Sequence, residues 1–173
     1  MIDLYANYFF QKFYGFLSDN DRVLFLEKIK DNIVSIANNK IGTYPLQAVI
    51  DKMKLPRERE ILVEAVKNSV LEMCQDQNGV HVIEKMILCF SENEIQIVYS
   101  TLIDYFEILA NNANGLCVAK LVILCKNPEN LKKLHWKIVE NALSLVQNPY
   151  GNYAIQKALE VYFCVLIYLE LEI

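Results

Sequence analysis

Glycine and proline are scarce in this chain, five and four among 173 residues, and histidine is scarcer still at two. So few breakers leave little room for the many tight turns of a sandwich or barrel, while the abundance of Leu, Ile, Val, Lys and Glu favours helices. The cysteines Cys74, Cys89, Cys117, Cys125 and Cys164 form no CxxC pair and are odd in number. Set mostly inside apolar runs, they read as buried, reduced packing residues rather than metal ligands or disulfides. No P-loop, GxGxxG, GxSxG or metal-ligand spacing occurs, so the sequence offers no catalytic residue, no metal site and no cofactor motif, and is not expected to be that of an enzyme. His135, beside Trp136, reads as a helix-packing residue.

The amino terminus, MIDLYANYFFQKF, lacks a basic flank and a small-residue cleavage site, so no secretory signal is expected. The apolar run from Val161 to Leu169 is far shorter than the roughly 20 residues a membrane-spanning helix needs, and is read as part of a repeat. These features point to an intracellular, cytoplasmic protein, with nucleus and nucleolus left open, and to no membrane or small-molecule partner. A net charge of −4 removes the simplest argument for a nucleic-acid partner, a globally basic domain.

What the chain does have is an internal repeat. NNKIGTYPLQAVI, QDQNGVHVIEKMI, NNANGLCVAKLVI and QNPYGNYAIQKAL align, with glycines at Gly42, Gly79, Gly115 and Gly151, spaced by 37, 36 and 36 residues. A step of 36 back from Gly42 reaches Ala6, where LYANYFFQKFY supplies a fifth copy with alanine for glycine. The motifs thus lie near residues 6–14, 42–50, 79–87, 115–123 and 151–159, and residues 1–173 read as one domain. Four places after the glycine stand Phe10, Leu46, Ile83, Ala119 and Ile155, and eight places after it Tyr14, Ile50, Ile87, Ile123 and Leu159. That is one apolar helical stripe. Three places before it stand Asn39, Asp76, Asn112 and Asn148, residues that cap helix amino termini. Longer periodic stretches, Glu92 to Ala110 and Asn130 to Gln147 among them, lie between motifs. Pro56, Pro128 and the polar Ser18-Asp19-Asn20 precede such stretches, so each repeat should hold two or three helices. One unit cannot bury its own stripe, so neighbours must stack into a solenoid with a concave and a convex face. Periodicity alone leaves open whether the glycine motif packs helices or reads a ligand.

The residues one and five places after the glycine share a helix face, and the residue two places after it lies beside them. They are Asn7, Tyr8 and Gln11; Thr43, Tyr44 and Gln47; Val80, His81 and Glu84; Leu116, Cys117 and Lys120; Asn152, Tyr153 and Gln156. Most are polar or aromatic and are expected to face outward. An amide pair can meet the edge of a base, and a ring can stack on its face. Lys12, Lys85 and Lys157 follow three of the triplets and offer charge for phosphates.

In GTYPLQ, NGVHVIEK, NGLCVAK, PYGNYAIQK and ANYFFQK the chain resembles the Pumilio (PUF) family of RNA-binding repeats, over essentially its whole length. The resemblance implies an all-α, right-handed solenoid of about five three-helix repeats, an armadillo-like superhelix, binding one RNA base per repeat with the RNA antiparallel to the repeats. It implies single-stranded RNA, an mRNA untranslated region, as partner, and post-transcriptional regulation as the role, with the convex face left for protein partners. Asn7 with Gln11 and Asn152 with Gln156 match the family's uracil-type pair, with Tyr8 and Tyr153 as stackers. Thr43 with Gln47 and stacker Tyr44 is closest to an adenine-type pair. Val80 cannot hydrogen-bond through its side chain, which leaves His81 and Glu84 to accept from a guanine edge, and Leu116 with Lys120 matches no reading pair. Family members usually carry about eight repeats with atypical caps, so the array looks incomplete, with apolar stacking faces bare in LYANYFF and VYFCVLIYLELEI. The competing readings are a PUF-like RNA binder of low sequence specificity, of the ribosome-assembly type, and a helical scaffold for protein.

Overall fold

The computed structural model describes the backbone of residues 1–171 and the side chains of residues 1–162. Most of the expected carboxy-terminal apolar face, Cys164 included, lies outside the described side chains. Every regular element among the described residues is helical.

The motif helices α1 (Ala6–Phe13), α4 (Thr43–Ile50), α7 (Gly79–Cys89), α10 (Gly115–Val122) and α13 (Gly151–Leu171) begin where the repeats place them. Two helices separate each pair: α2 (Asp19–Ile29) and α3 (Ile33–Asn38), α5 (Pro56–Val66) and α6 (Val70–Gln75), α8 (Gln96–Asp104) and α9 (Phe106–Ala110), then α11 (Pro128–Glu140) and α12 (Ala142–Gln147). Each complete repeat therefore holds three helices. The stretch expected to run from Asn130 to Gln147 breaks at Asn141, whose side chain donates to the Lys137 carbonyl at 2.8 Å and ends α11 there. Pro56 and Pro128 occupy the first turn of α5 and α11, where a missing N–H loses no hydrogen bond. No described helix is long and apolar enough to cross a membrane.

The chain divides into two compact units, residues 1–98 and 99–173. In the first, α1 packs on α4 and α4 on α7. Leu46, Ile83 and Ile50, from the expected stripe, are buried there with Ile61, Leu62 and Met86. In the second, α10 packs on α9 and α13, and Ala119, Ile123, Val122 and Leu145 form the buried layer. The stripe fails at Leu159, which is 61% exposed. At the other end Leu4, Tyr5, Tyr8 and Phe9 are exposed, as expected for LYANYFF, and so is Ile2 before it.

The recurring glycine is a close-approach residue. A Cβ on Gly79 would lie 2.9 Å from the Met73 carbonyl oxygen and against Asn38 Oδ1. On Gly151 it would lie 2.7 Å from the Leu145 carbonyl oxygen and against Asn111 Oδ1. In both cases an asparagine at the end of a short helix wedges its side chain not against the motif that follows it in the chain but against the bare Cα of the motif one repeat further on.

Between the first two repeats a buried polar cluster replaces apolar packing. The Tyr14 hydroxyl donates to Glu58, whose carboxylate also accepts from the Leu55 N–H at 2.6 Å and the Lys54 N–H at 2.7 Å, capping α5. Arg22 lies over the Tyr14 ring, 5.5 Å from its centroid, and donates to the Leu17 and Lys52 carbonyls, both at 3.2 Å. Burial and the Glu58 carboxylate push the Tyr14 phenol well above its ordinary range. Of the cysteines, Cys74 and Cys125 are buried as expected, but Cys89 and Cys117 are exposed. His135 is exposed too, its ring edge-on to Tyr162 with centroids 4.2 Å apart, and Trp136 beside it is exposed rather than packed.

Candidate nucleic-acid interface

Each motif helix is started by one side chain that accepts from two successive backbone N–H groups. Asn39 Oδ1 accepts from Ile41 at 2.9 Å and Gly42 at 3.0 Å, and Asp76 Oδ1 accepts from Asn78 and Gly79, both at 2.8 Å. Asn112 and Asn148 do the same before α10 and α13. Asp3 does it before α1, accepting from Tyr5 at 2.9 Å and Ala6 at 2.8 Å. Two otherwise orphaned donors are satisfied at each helix start, which fixes the register of the triplet that follows. Asp3 was missed in the sequence, although it stands three places before Ala6, in the same column as the other caps.

The triplets do not face outward as a set. Their first residues turn inward: Asn7 is 5% exposed and Thr43 2%, and Val80 and Leu116 are buried as well, while Asn152 is half-buried. The cause is bonding of the polar ones. Asn7 Nδ2 donates to the Asp3 and Leu4 carbonyls at 3.2 and 2.6 Å, and Asn152 Nδ2 to the Asn148 and Pro149 carbonyls at 2.9 and 3.0 Å. Thr43 Oγ1 donates to the Asn78 carbonyl at 3.1 Å, tying α4 to the start of α7. Each first residue then accepts from the glutamine one turn on: Gln11 Nε2 to Asn7 Oδ1 at 3.2 Å, Gln47 Nε2 to Thr43 Oγ1 at 3.0 Å, Gln156 Nε2 to Asn152 Oδ1 at 3.4 Å. An amide has two donors and an acceptor, so each glutamine keeps its carbonyl oxygen and one N–H beyond this bond. The rings of the second column, Tyr8, Tyr44 and Tyr153, are exposed, Tyr8 by 69%.

In the first unit these parts enclose a cavity of about 400 Å³, lined by Asn7, Tyr8 and Gln11 from α1, Tyr44 and Ala48 from α4, and Asp51 just after it. Two tyrosines and one oriented amide thus border a single open space. Ala48 stands in the column where Lys12, Lys85 and Lys157 stand, and its short side chain leaves that space open. Ala48 and Asp51 carried no signal in the triplet pattern and were not anticipated.

The other two triplets differ. His81 Nδ1 lies 2.9 Å from Glu84 Oε2, so both polar side chains of the third are paired with each other. In the fourth, Lys120 Nζ lies 5.4 Å from the centroid of the Tyr153 ring. The lysines expected at phosphates have prior partners in two cases. Lys85 pairs with Asp51 at 2.7 Å, which holds its ammonium above the ordinary range, and Lys157 pairs with Glu160 at 3.3 Å, while Lys12 is exposed. No group of three or more His, Cys, Asp or Glu able to hold a metal occurs among the described residues.

The sequence profile of the Pumilio-family RNA-binding repeat matches residues 1–30, 69–103 and 141–162, together half of the chain. A Pumilio domain-containing protein of Schizosaccharomyces pombe is 32% identical over 161 residues, 93% of this chain and 24% of its own length. A putative pumilio homolog of Arabidopsis thaliana is 27% identical over 164 residues, again 93% of this chain and 32% of its own length. The solved Puf4 RNA-binding domain, bound to the HO endonuclease RNA 3′ UTR recognition sequence, superposes with a TM-score of 0.88 at 26% identity, covering 92% of this chain and 50% of that one. The yeast Puf5p RNA-binding domain bound to MFA2 RNA superposes with a TM-score of 0.85 at 25% identity, covering 92% and 45%. The chain thus spans a quarter to a third of these curated relatives and about half of the solved domains, with their all-helical solenoid fold. Repeat, motif helix and profile agree, and the chain belongs to the Pumilio family of RNA-binding repeat proteins.

Proposed function

We propose that this chain binds single-stranded RNA selectively, with intact triplets each addressing one base, and that it acts on messenger RNA in cytoplasmic post-transcriptional regulation. The observation that carries the reading is the glutamine amide held by its helix neighbour at Gln11, Gln47 and Gln156, beside an exposed tyrosine each time. An amide with fixed orientation presents its donor and acceptor without first losing rotamer freedom, so edge recognition carries less ordering penalty. A base entering the space between Tyr8 and Tyr44 would stack on rings and meet Gln11 at its edge.

Read this way, Asn7, Thr43 and Asn152 orient, while Gln11, Gln47 and Gln156 read. Uracil suits the outer two, since its N3–H and a carbonyl oxygen complement the free oxygen and N–H of a glutamine. The Puf4 and Puf5p domains bound to RNA support this reading by their likeness in fold.

The test is selection of the purified protein against a random single-stranded RNA pool at two salt concentrations, followed by sequencing. The expected result is a short enriched motif in which uracils flank loosely specified positions. Binding without enrichment would replace selective reading with a grip on the RNA backbone, and no binding at low salt would remove RNA altogether.

A further inference from the structure

The fourth motif departs from the others in all three of its columns. Leu116 is buried and apolar where Asn7, Thr43 and Asn152 hold a glutamine. Cys117 is exposed but carries no ring. Lys120, in the glutamine column, has donors only, and its ammonium rests on the face of Tyr153. Lys85 and Lys157 instead meet carboxylates, so Lys120 is the lysine among these three that lies over an aromatic ring.

This is the reverse of the space between Tyr8 and Tyr44. There two rings and an oriented amide surround about 400 Å³ of open volume. Between α10 and α13 a cation covers a face of the Tyr153 ring, and α10 itself has no aromatic residue. A base could stack there only by displacing an ammonium that the ring attracts, and it would find neither a ring nor an oriented amide from α10. The phosphate of a passing nucleotide demands much less, because it pairs with an ammonium that stays on the ring.

Resting on the RNA-reading function above, we propose that the fourth motif carries a spacer nucleotide, its base unstacked and unread, with Lys120 braced on Tyr153 to contact the backbone phosphate. The uncovered face of Tyr153 is left to the base that Asn152 and Gln156 address.

The probe is a random single-stranded RNA pool, selected in parallel by the wild-type chain and by the triple variant Leu116→Asn/Cys117→Tyr/Lys120→Gln. The wild-type motif should show no base preference immediately 3′ of the uracil whose selection depends on Gln156, and the triple variant should acquire uracil there. Because that variant can fail to fold, the wild-type motif is also synthesised with an abasic ribose at each position in turn. The spacer position should tolerate it within about threefold, whereas a stacked position should lose roughly tenfold or more. Lys120→Met should lower the slope of log affinity against log salt by about 0.7, the share of one phosphate contact on a single strand. A sharp base preference at the spacer position, or an abasic loss there equal to that at the uracil, overturns the proposal while leaving selective reading intact. Absence of any enriched motif overturns both.

Discussion

Asn7 and Gln11 sit one turn apart and have usually interchangeable chemistry, yet the structure bonds them differently, and the different tasks proposed for them can be measured. Asn7 spends both Nδ2 donors on the Asp3 and Leu4 carbonyls and its Oδ1 on Gln11, and is 5% exposed. Gln11 lines the cavity with part of its amide uncommitted. Replacing Gln11 with Ala should remove the edge contact, a loss of about 1–3 kcal/mol or roughly 5- to 150-fold in affinity for the preferred base. Uracil and cytosine at that position should then bind alike. Asn7→Ala removes hydrogen bonds at a helix start and should lower folding stability by about 1–2 kcal/mol. It frees the glutamine instead of deleting it, so affinity falls by at most about 2 kcal/mol, the entropy of one re-ordered side chain. The uracil preference should survive. Asn7→Asp keeps the acceptor for Gln11 and should orient it better than Asn7→Ala does. Fluorescence anisotropy with RNA pairs differing at this one base gives both numbers, with circular dichroism confirming that each variant is folded. If a folded Asn7→Ala erases the uracil preference as completely as Gln11→Ala, Asn7 reads the base itself and the division of labour is wrong.

Three further outcomes follow from the same geometry. Tyr44→Ala should lose about 1–3 kcal/mol of RNA affinity through the missing stacking wall, and Tyr44→Phe almost none, measured by anisotropy at fixed salt. Gly79→Ala and Gly151→Ala should each cost about 1–3 kcal/mol of stability by urea denaturation, because the new methyl meets carbonyl oxygens at 2.9 and 2.7 Å. Gly15→Ala is the control, since its nearest neighbour is the flexible Lys52 side chain at 3.5 Å, and should be near neutral. Burial pushes the Cys74 thiol from an ordinary 9.0 up to about 12. Between those values the unfolded chain has lost a proton that the folded chain keeps, so stability should fall as pH rises from 9 toward 12, and Cys74→Ala should lessen that fall in thermal melts.

The helices were legible because their signals are local and repeated. The apolar stripe through Leu46, Ile83 and Ala119 and the capping column through Asn39, Asp76 and Asn112 each recur at one period, and a recurring error is improbable. The split of long stretches was not legible, because Asn141 ends α11 through a side-chain bond to a carbonyl one turn back, and an asparagine in an amphipathic run does not announce that choice. The triplets were found, but the exposure of their first residues was misjudged. Polarity suggested outward-facing side chains, whereas Asn7 and Thr43 are buried because backbone carbonyls of the cap and of the next motif take their donors. Glu58 and Tyr14 met in the same way, across 44 residues and with no periodic signature.

The acidic balance of the chain bears on how its affinity and selectivity are related. A nucleic-acid binder that relies on phosphates gains affinity from any sequence, and its salt dependence grows with each cation engaged. Here the net charge is −4, and Lys85 and Lys157 already rest on Asp51 and Glu160. Such exposed pairs are weak, but each one must be given up or shared before its lysine serves a phosphate. These two lysines then add little non-specific attraction for an unsuitable RNA. What the fold supplies instead is exposed rings and oriented amides, and in the function proposed above their contribution depends on a base being present and, at the amide, on which base it is. Under the proposed reading, substitutions at Gln11 or Gln156 should therefore lower affinity and selectivity together, while those at Lys12 should change salt dependence and leave the preferred sequence as it was.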